Sequence, residues 1–312
     1  MLTQHAHNRA EIALLKKIVA MKAGDPTEKF EKGVTRMMMK EYDRVAEAAV
    51  RAAVDAGGRT KASRVTRAEK ALESAFKGFG SGLAPEFGEM LWIFYRDHVT
   101  SFIEKHALEV QKASRKPGLE IDFNLVDEDA VAVTEKLTVQ SAGRYFPEQM
   151  APKTSAVIRR VVLEQGLGIR EASVVLDAEL RAALGIDFSA VVPTQFRSNP
   201  QNYFETLAIN ASTQATGVGR MIAMNDAGVE KFRIIAVLDR ATSAICRKLD
   251  GQEFAVSNGM AAVDKFLKVD SLDELESFMG FSKTDSAPKW ATEGKGFPPF
   301  HHRCRTTVVP VF

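Results

Sequence analysis

A helical spacing of apolar residues, interrupted only by glycine and proline, extends from residue 2 to about residue 184 and constrains the fold more than any other feature. Apolar side chains at intervals of three and four form one face of a helix, and that face must be buried. Residues 25–28 (DPTE) have the composition of a helix start and predict a long helix to about Asp55. A second long helix is predicted to begin near Pro85. The apolar face of the first helix consists of Phe30, Val34, Met38, Tyr42, Val45, Ala49 and Ala52.

The pattern changes after Gly228, where short runs of β-branched and aromatic residues replace the helical spacing. These runs predict strands over 232–238, 252–256 and 306–312, with a short helical piece over 242–249. Three short strands around one or two helices are typical of a small α+β module rather than of a doubly wound sheet.

Two domains are expected from these patterns and from a length of 312 residues. We predict an α+β protein with a predominantly helical N-terminal domain over residues 1–190 and a small three-stranded C-terminal module over 191–312. The boundary is placed in the stretch 186–198, which has a central proline and no helical period. Residues at about 259–296 are predicted to be an insertion within the module.

Charge is nearly balanced, with 42 Lys and Arg against 40 Asp and Glu, so no overall field would hold the chain on nucleic acid or on an anionic membrane. No apolar run approaches the roughly 20 residues that span a bilayer, and the N-terminus lacks the pattern of a signal peptide. We expect a soluble protein made in the cytoplasm, with no membrane span.

Four basic residues recur at every third position and predict a local contact with the phosphates of double-stranded DNA. A solvated helix face, partly neutralised by Glu69 and Glu73, is the simpler interpretation. The four residues are Lys61, Arg64, Arg67 and Lys70.

Motifs of common enzyme classes are missing from the chain, which has no HExxH, no GxSxG and no phosphate-binding glycine loop. The pair Gly217 and Gly219 lies inside a helical pattern and has no strand before it, so we do not interpret it as a nucleotide site. An enzyme would have to rely on Asp239, His301 and Cys304.

Both cysteines of the chain fall in the C-terminal module, Cys246 in the short helical piece and Cys304 directly before the last strand. His301 and His302 immediately precede Cys304 in the segment His-His-Arg-Cys. Two thiolates and an imidazole are ligands that Zn²⁺ prefers, and Asp239 could complete a tetrahedron. A zinc ion would then link the exit of the first strand to the start of the third.

Two other interpretations of the cysteines stay open at this point. Free cysteine packs as a small hydrophobic residue, so Cys246 and Cys304 also suit an ordinary buried pair. They equally suit a disulfide, which a reducing cytosol disfavours and a released particle would permit. His302 is compatible with a solvent-exposed neighbour of a true ligand at His301.

The line from Asp239 to Gly251 (DRATSAICRKLDG), followed by PPFH at 298–301 and by Cys304-Arg305, resembles the signature of the phage Mu F-like minor head protein family, the phage head morphogenesis family. That signature reads Asp-x-Arg-Thr-Ser-x-x-Cys-x-x-x-(Asp/Asn)-Gly, then Pro-Pro-x-His-x-x-Cys-Arg. The similarity covers roughly residues 200–312. Ala241 stands where the family usually has arginine, and Ser243 and Thr306 stand where some members carry further cysteines. The resemblance implies a core set of Asp239, Thr242, Cys246, Gly251, His301, Cys304 and Arg305.

What the resemblance implies is a minor head protein of a tailed phage or prophage, incorporated during head assembly near the portal, with a part in DNA packaging or ejection. The implied partners are the portal protein, the inner capsid or scaffold, and double-stranded DNA; the implied location is the virion. No catalytic activity is implied. Bacterial toxins carry the same module, so an effector enzyme, such as a metal-dependent nuclease or toxin, is the alternative, and a plain DNA-binding protein is a third possibility.

Overall fold

The first helix, α1, spans Pro26–Asp55, as the apolar spacing predicts. Its predicted face is buried from Phe30 to Ala49, but in the last turn Ala53 lies in the core and Ala52 is exposed. At 3.6 residues per turn, a step of four residues from Ala49 leads to Ala53, which keeps the apolar stripe on the buried side of the helix. The computed structural model describes residues 26–114, 123–165, 167–186, 199–281 and 286–312.

The described helices of residues 26–184 lie within the stretch of predicted helical spacing, and one of them starts earlier than predicted. α3 begins at Phe79 rather than near Pro85, because the buried side chains of Phe79 and Leu83 extend the helix despite the hydrogen bond lost at the proline. Two π-helical turns, Phe146–Met150 and Arg160–Glu164, precede and follow the helix Ala151–Arg159. The helices are α2 (Lys61–Phe76), α3 (Phe79–Ser114), α4 (Leu125–Tyr145), α5 (Ala151–Arg159), α6 (Ile169–Leu184), α7 (Pro200–Asp226), α8 (Ala244–Leu249), α9 (Val256–Phe266), α10 (Leu272–Met279) and α11 (Lys289–Thr292).

Three strands form one antiparallel sheet in the order β2-β1-β3, with β1 at Lys231–Ile235, β2 at Glu253–Ala255 and β3 at Thr307–Val311. The predicted α+β class, a helical region followed by a small three-stranded sheet, is therefore confirmed. β1 ends before the apolar run does, because the N–H of Ala236 donates to the Asp250 carboxylate (2.9 Å). The described helices include none that combines the length and apolar character needed to cross a membrane.

The described residues divide into two compact units. The sheet unit comprises Phe87–Leu137, Ala208–Phe312 and the start of α1 up to Lys32. The helical unit comprises Gly33–Glu86 and Thr138–Leu207. The stretch predicted as a linker, 186–198, lies outside the described residues apart from its ends, so the boundary near residue 190 stays a prediction.

Tyr42 lies at the centre of the core of the helical unit. Its side chain is fully buried, and its hydroxyl donates to the carbonyl of Leu184 (2.8 Å). Four aromatic rings have their centroids 5.5 to 5.8 Å from that of Tyr42. They belong to Phe76, Phe79, Tyr145 and Phe204.

In the sheet unit, Arg220 connects α7 to β3. Its guanidinium is buried, donates to the carbonyl of Val308 (3.1 Å) and contacts Nε2 of His98 (2.9 Å). The guanidinium carbon of Arg220 lies 5.1 Å from the ring centroid of Phe102, within the range of a cation–π contact. These contacts anchor the strand that follows Cys304.

Close packing of α7 against α3 in the sheet unit requires glycine at position 219. A Cβ atom there would lie 2.5 Å from Cγ2 of Val99 and 2.9 Å from Cε2 of Tyr95. Tyr95 has little room to move, because it is buried and its hydroxyl donates to Asp127 (2.5 Å). Helix packing therefore explains the glycine at position 219.

Gly219→Ala is expected to lower the free energy of unfolding by about 1–3 kcal/mol, since overpacking outweighs the higher helix propensity of alanine. Gly143→Ala is the matched control: it is also helical, and a Cβ there meets only the Cα of Gly80 at 3.9 Å. The control should be neutral or stabilising by up to about 1 kcal/mol. Urea unfolding followed by circular dichroism measures both, and equal stability of the two variants would contradict this packing argument.

Candidate metal centre

A turn and a short helix position Cys246. The hydroxyl of Thr242 donates to the carbonyl of Val237 (2.5 Å) and accepts the N–H of Asp239 (2.7 Å). Ser243 then caps α8, its side chain accepting the N–H of Cys246 at 3.2 Å. Cys246 thus lies in the first turn of α8, with only 2% of its surface exposed.

The second half of the site is the loop before β3, which α7 contacts closely. A Cβ atom at Gly217 would lie 2.7 Å from the carbonyl oxygen of Pro298, so only glycine admits the loop at this distance. Thr213 donates its hydroxyl hydrogen to the carbonyl of Cys304 (2.8 Å). Through these contacts Cys304, which is fully buried, reaches Cys246.

Cys246, His301 and Cys304 form a cluster that could hold a metal ion. The two Sγ atoms are 3.7 Å apart, Sγ of Cys246 is 3.1 Å from Nε2 of His301, and all three ligand atoms lie within 4.8 Å of one another. A tetrahedral ion with metal–sulfur bonds of about 2.3 Å would separate two sulfurs by about 3.8 Å. The cysteines are free, and 3.7 Å is too long for a disulfide bond of about 2.05 Å. The donor set and its spacing therefore fit a tetrahedral metal ion.

Electrostatics in the cluster favour one thiolate and one thiol. The hydrogen bond with Cys304, together with burial, raises the pKa of Cys246 to about 12. Burial alone would raise the pKa of Cys304, but hydrogen bonds from Cys246 and from the backbone of Phe300 and Thr306 outweigh it and lower that pKa to about 6. The hydrogen bond to Cys246 raises the pKa of His301 above its usual 6.5. At neutral pH the cluster is already prepared to bind a cation through Cys304.

Neighbouring groups orient the ligand atoms. Nδ1 of His301 lies 2.7 Å from the carbonyl oxygen of His302, and a carbonyl oxygen only accepts, so Nδ1 carries the proton and Nε2 faces the sulfurs. Thr306 donates its hydroxyl hydrogen to Sγ of Cys246 (2.8 Å). Donation of the second ring nitrogen to a backbone carbonyl is typical of metal-bound histidine.

Asp239 was predicted as a fourth ligand, and the structure places its carboxylate elsewhere. It pairs with the guanidinium of Arg305 (2.7 Å) and accepts the N–H of Ala241 (2.8 Å). The ion pair with Arg305 is the main reason that the pKa of Asp239 lies below its usual value. Among the described residues, the group of metal-ligating atoms within mutual reach includes Cys246, His301 and Cys304 but not Asp239.

The other residues of the core set have structural roles. Gly251 has φ of +79°, in the left-handed region that disfavours side chains, and its N–H donates to the carbonyl of Ile234 (2.8 Å). Arg305 links the loop before β3 to the turn before α8 through Asp239. His302 is not part of the metal cluster: its Nδ1 lies 3.2 Å from the side-chain nitrogen of Asn210.

The basic residues predicted to contact DNA lie on α2 in the helical unit and do not form one exposed stripe. Arg64 is 8% exposed and donates to the hydroxyl of Ser173 on α6 (2.7 Å). A step of three residues falls short of a helical turn, so successive members rotate around α2 and Arg64 turns inward. Lys61, Arg67 and Lys70 are exposed, and a DNA contact by them stays a prediction.

Sequence reasoning missed the residues that position the cluster. Three of them, Asn210, Thr213 and Gly217, lie on α7, and Thr306 follows Cys304. The polar face of α7, rich in Asn, Gln and Thr, was the available signal, because an amphipathic helix with such a face needs hydrogen-bond partners. Which of these polar residues position the cluster depends on which loop packs against α7.

Comparison of the chain with protein-family models, with curated proteins and with solved structures finds no match.

Proposed function

We propose that this chain is a minor head protein of a tailed phage or prophage in which Cys246, His301 and Cys304 hold one zinc ion. The observation that carries the proposal is the meeting of the two halves of the signature-like sequence. Asp239 pairs with Arg305, and Cys246 contacts both His301 and Cys304, although long stretches of chain separate them. The residues that carry the resemblance thus act together as one structural site.

Zinc is the ion that best suits this donor set. Two sulfurs and one imidazole nitrogen are soft and borderline ligands, and their spacing suits a tetrahedron. Hydrogen bonds to the sulfurs from Thr306 and from the backbone of Phe300 reduce the charge that two thiolates would otherwise concentrate. When bound, zinc would supply a cross-link between α8 and the loop before β3.

The proposed partners follow from the place of such a protein in the particle. We assign the helical residues of 1–190 a docking surface for the portal protein, the inner capsid or the scaffold. Double-stranded DNA is the further proposed partner, and the phage head the proposed location.

Mass spectrometry of purified particles tests the function. The protein is expected in procapsids and in mature virions, in fewer copies than the major capsid protein. The portal protein, measured in the same digests, controls for recovery of low-copy components. Absence of the chain from both kinds of particle, with the portal detected, would overturn the proposal.

An effector enzyme is the second candidate, because a low-pKa thiol at Cys304 close to a histidine is one arrangement of a cysteine nucleophile. Complete burial of Cys304 favours the structural role. Incubation of the purified protein with DNA, RNA and divalent metals separates the two. Turnover that disappears in His301→Ala would favour the enzyme.

Zinc binding is expected to release about one proton per chain at pH 8, because Cys304 is already a thiolate while Cys246 keeps its proton up to a pKa of about 12. Lowering the pH toward 6 should increase the release and weaken binding, since His301, whose pKa is raised, and then Cys304 take up protons that zinc must displace. Isothermal titration calorimetry in buffers of different ionisation enthalpy measures the number of protons released per zinc ion. Binding that is independent of pH between 6 and 8 would contradict these ligands.

A further inference from the structure

We propose that Asn210 is a positioning residue of the metal centre, which acts by fixing the single peptide plane that orients His301. The inference rests on the proposed zinc site and names the group that makes His301 a competent ligand. Asn210 lies on α7, contacts none of the three ligand atoms directly, and reaches the loop on the opposite side of the 302–303 peptide.

The peptide between His302 and Arg303 is held at both ends. Its N–H, on Arg303, donates to Oδ1 of Asn210 (2.9 Å). Its carbonyl oxygen, on His302, accepts the proton on Nδ1 of His301 (2.7 Å). Because a peptide unit is planar and rigid, an anchor on the N–H fixes the direction of the carbonyl. Asn210 therefore fixes the position of the His302 carbonyl oxygen, which accepts the proton on Nδ1 of His301.

The orientation of the Asn210 amide follows from its partners. A backbone N–H must be met by an acceptor, so Oδ1 faces Arg303 and the NH₂ group faces Nδ1 of His302 (3.2 Å). That ring nitrogen must then be an unprotonated acceptor of the amide hydrogen. One amide thus engages two consecutive residues of the loop.

The anchored peptide needs this support, because Arg303 has φ of +57°, in the left-handed region. Residues other than glycine occupy that region at a cost and remain there when surrounding contacts hold them. Without Asn210, we expect the 302–303 peptide to rotate, Nδ1 of His301 to lose its acceptor, and Nε2 to lose its fixed direction toward Cys246. Loss of such an outer contact typically lowers metal affinity by about 10- to 100-fold.

Two variants test this mechanism in the full-length protein. Asn210→Ala should weaken zinc binding, measured by competition with a chromophoric chelator, by about 10- to 100-fold. Adding Arg303→Gly to Asn210→Ala should recover most of that affinity, because glycine adopts positive φ without strain. Asn225→Ala is the matched control: it lies on the same helix, and among the described residues its side-chain amide donates to Asp226, away from the loop of His301. The control should bind zinc as the wild type does.

The tautomer of His301 gives a readout that needs no metal. Nitrogen-15 spectra of the metal-free wild type, recorded at a pH at which the His301 ring is neutral, should show Nδ1 protonated. Asn210→Ala should shift the ring toward a mixture of tautomers, and the double variant should restore the wild-type pattern. An unchanged tautomer in Asn210→Ala would overturn the inference, and so would affinity that Arg303→Gly fails to rescue. Failure of the wild-type protein to bind zinc would refute the proposed metal centre instead, while the tautomer measurement would still decide the role of Asn210.

Discussion

Removal of zinc is expected to destabilise the sheet unit by about 4 kcal/mol when free zinc had been kept about a thousandfold above its dissociation constant. The ion would bind residues from α8 and from the loop before β3, which meet only in the folded chain, so its binding free energy adds to the stability of that unit. EDTA should therefore lower the unfolding midpoint of the wild type. Cys304→Ser, which removes a fully buried ligand, should have the low midpoint already and should not respond to EDTA.

Tryptophan fluorescence reports this unfolding selectively. Both tryptophans of the chain, Trp92 and Trp290, lie in the sheet unit, and the ring of Trp290 packs 5.6 Å from that of Phe300. His302→Gln is the matched control for the histidine ligand, since His302 is outside the metal cluster and glutamine keeps a side-chain acceptor for the Asn210 amide, so this variant should retain zinc. His301→Ala should lose it. The opposite result would be protein that, after purification under reducing conditions, contains no zinc, has two titratable thiols and unfolds at the same midpoint with and without EDTA. That result would leave an ordinary buried cysteine pair as the explanation.

Tyr42→Ala is expected to lower the free energy of unfolding by about 3–5 kcal/mol, as removal of large aromatic side chains from cores does. The side chain is fully buried and has four aromatic rings within 5.8 Å, so truncation would leave a cavity that the surrounding rings cannot fill without moving. Tyr42→Phe keeps the ring and removes only the hydroxyl that donates to Leu184. Tyr42→Phe should lower the free energy of unfolding by about 0.5–1.5 kcal/mol for the lost hydrogen bond, plus the penalty of leaving a buried carbonyl without this donor.

Denaturant unfolding followed by circular dichroism at 222 nm measures both Tyr42 variants, since the helical unit contributes much of that signal. The difference between them isolates the contribution of the ring from that of the hydrogen bond. Equal losses in Tyr42→Ala and Tyr42→Phe would show that the hydrogen bond, and not aromatic packing, dominates at this position.

Local pattern predicted much of the fold because its causes are local. The start and end of α1, the short helix that carries Cys246 and the three strands of the sheet were all anticipated from spacing and from residue type. Exceptions arose where distant contacts outweighed local preference. α3 continues through Pro85 because Phe79 and Leu83 are buried, and β1 ends early because Asp250 captures the N–H of Ala236.

The metal cluster shows the same division at the level of single residues. Cys246, His301 and Cys304 were candidates from the sequence alone, because both thiols and two of the six imidazoles fall in one short module and are ligands that zinc prefers. Asp239 was an equally reasonable candidate by residue type. Its carboxylate pairs with Arg305 instead, a contact that becomes available only when the loop before β3 folds against the turn before α8.

The helical and strand segments and the donor atoms available to a metal could be predicted from the amino-acid sequence, because periodicity and side-chain chemistry are properties of short stretches. The folded chain was needed to see which of those donors meet and that Arg64 turns inward. It was also needed to see that Asn210, Thr213 and Gly217 on α7 hold the loop of His301 and Cys304. These outcomes depend on distances between segments far apart in the chain, which are set by side-chain packing within each of the two units.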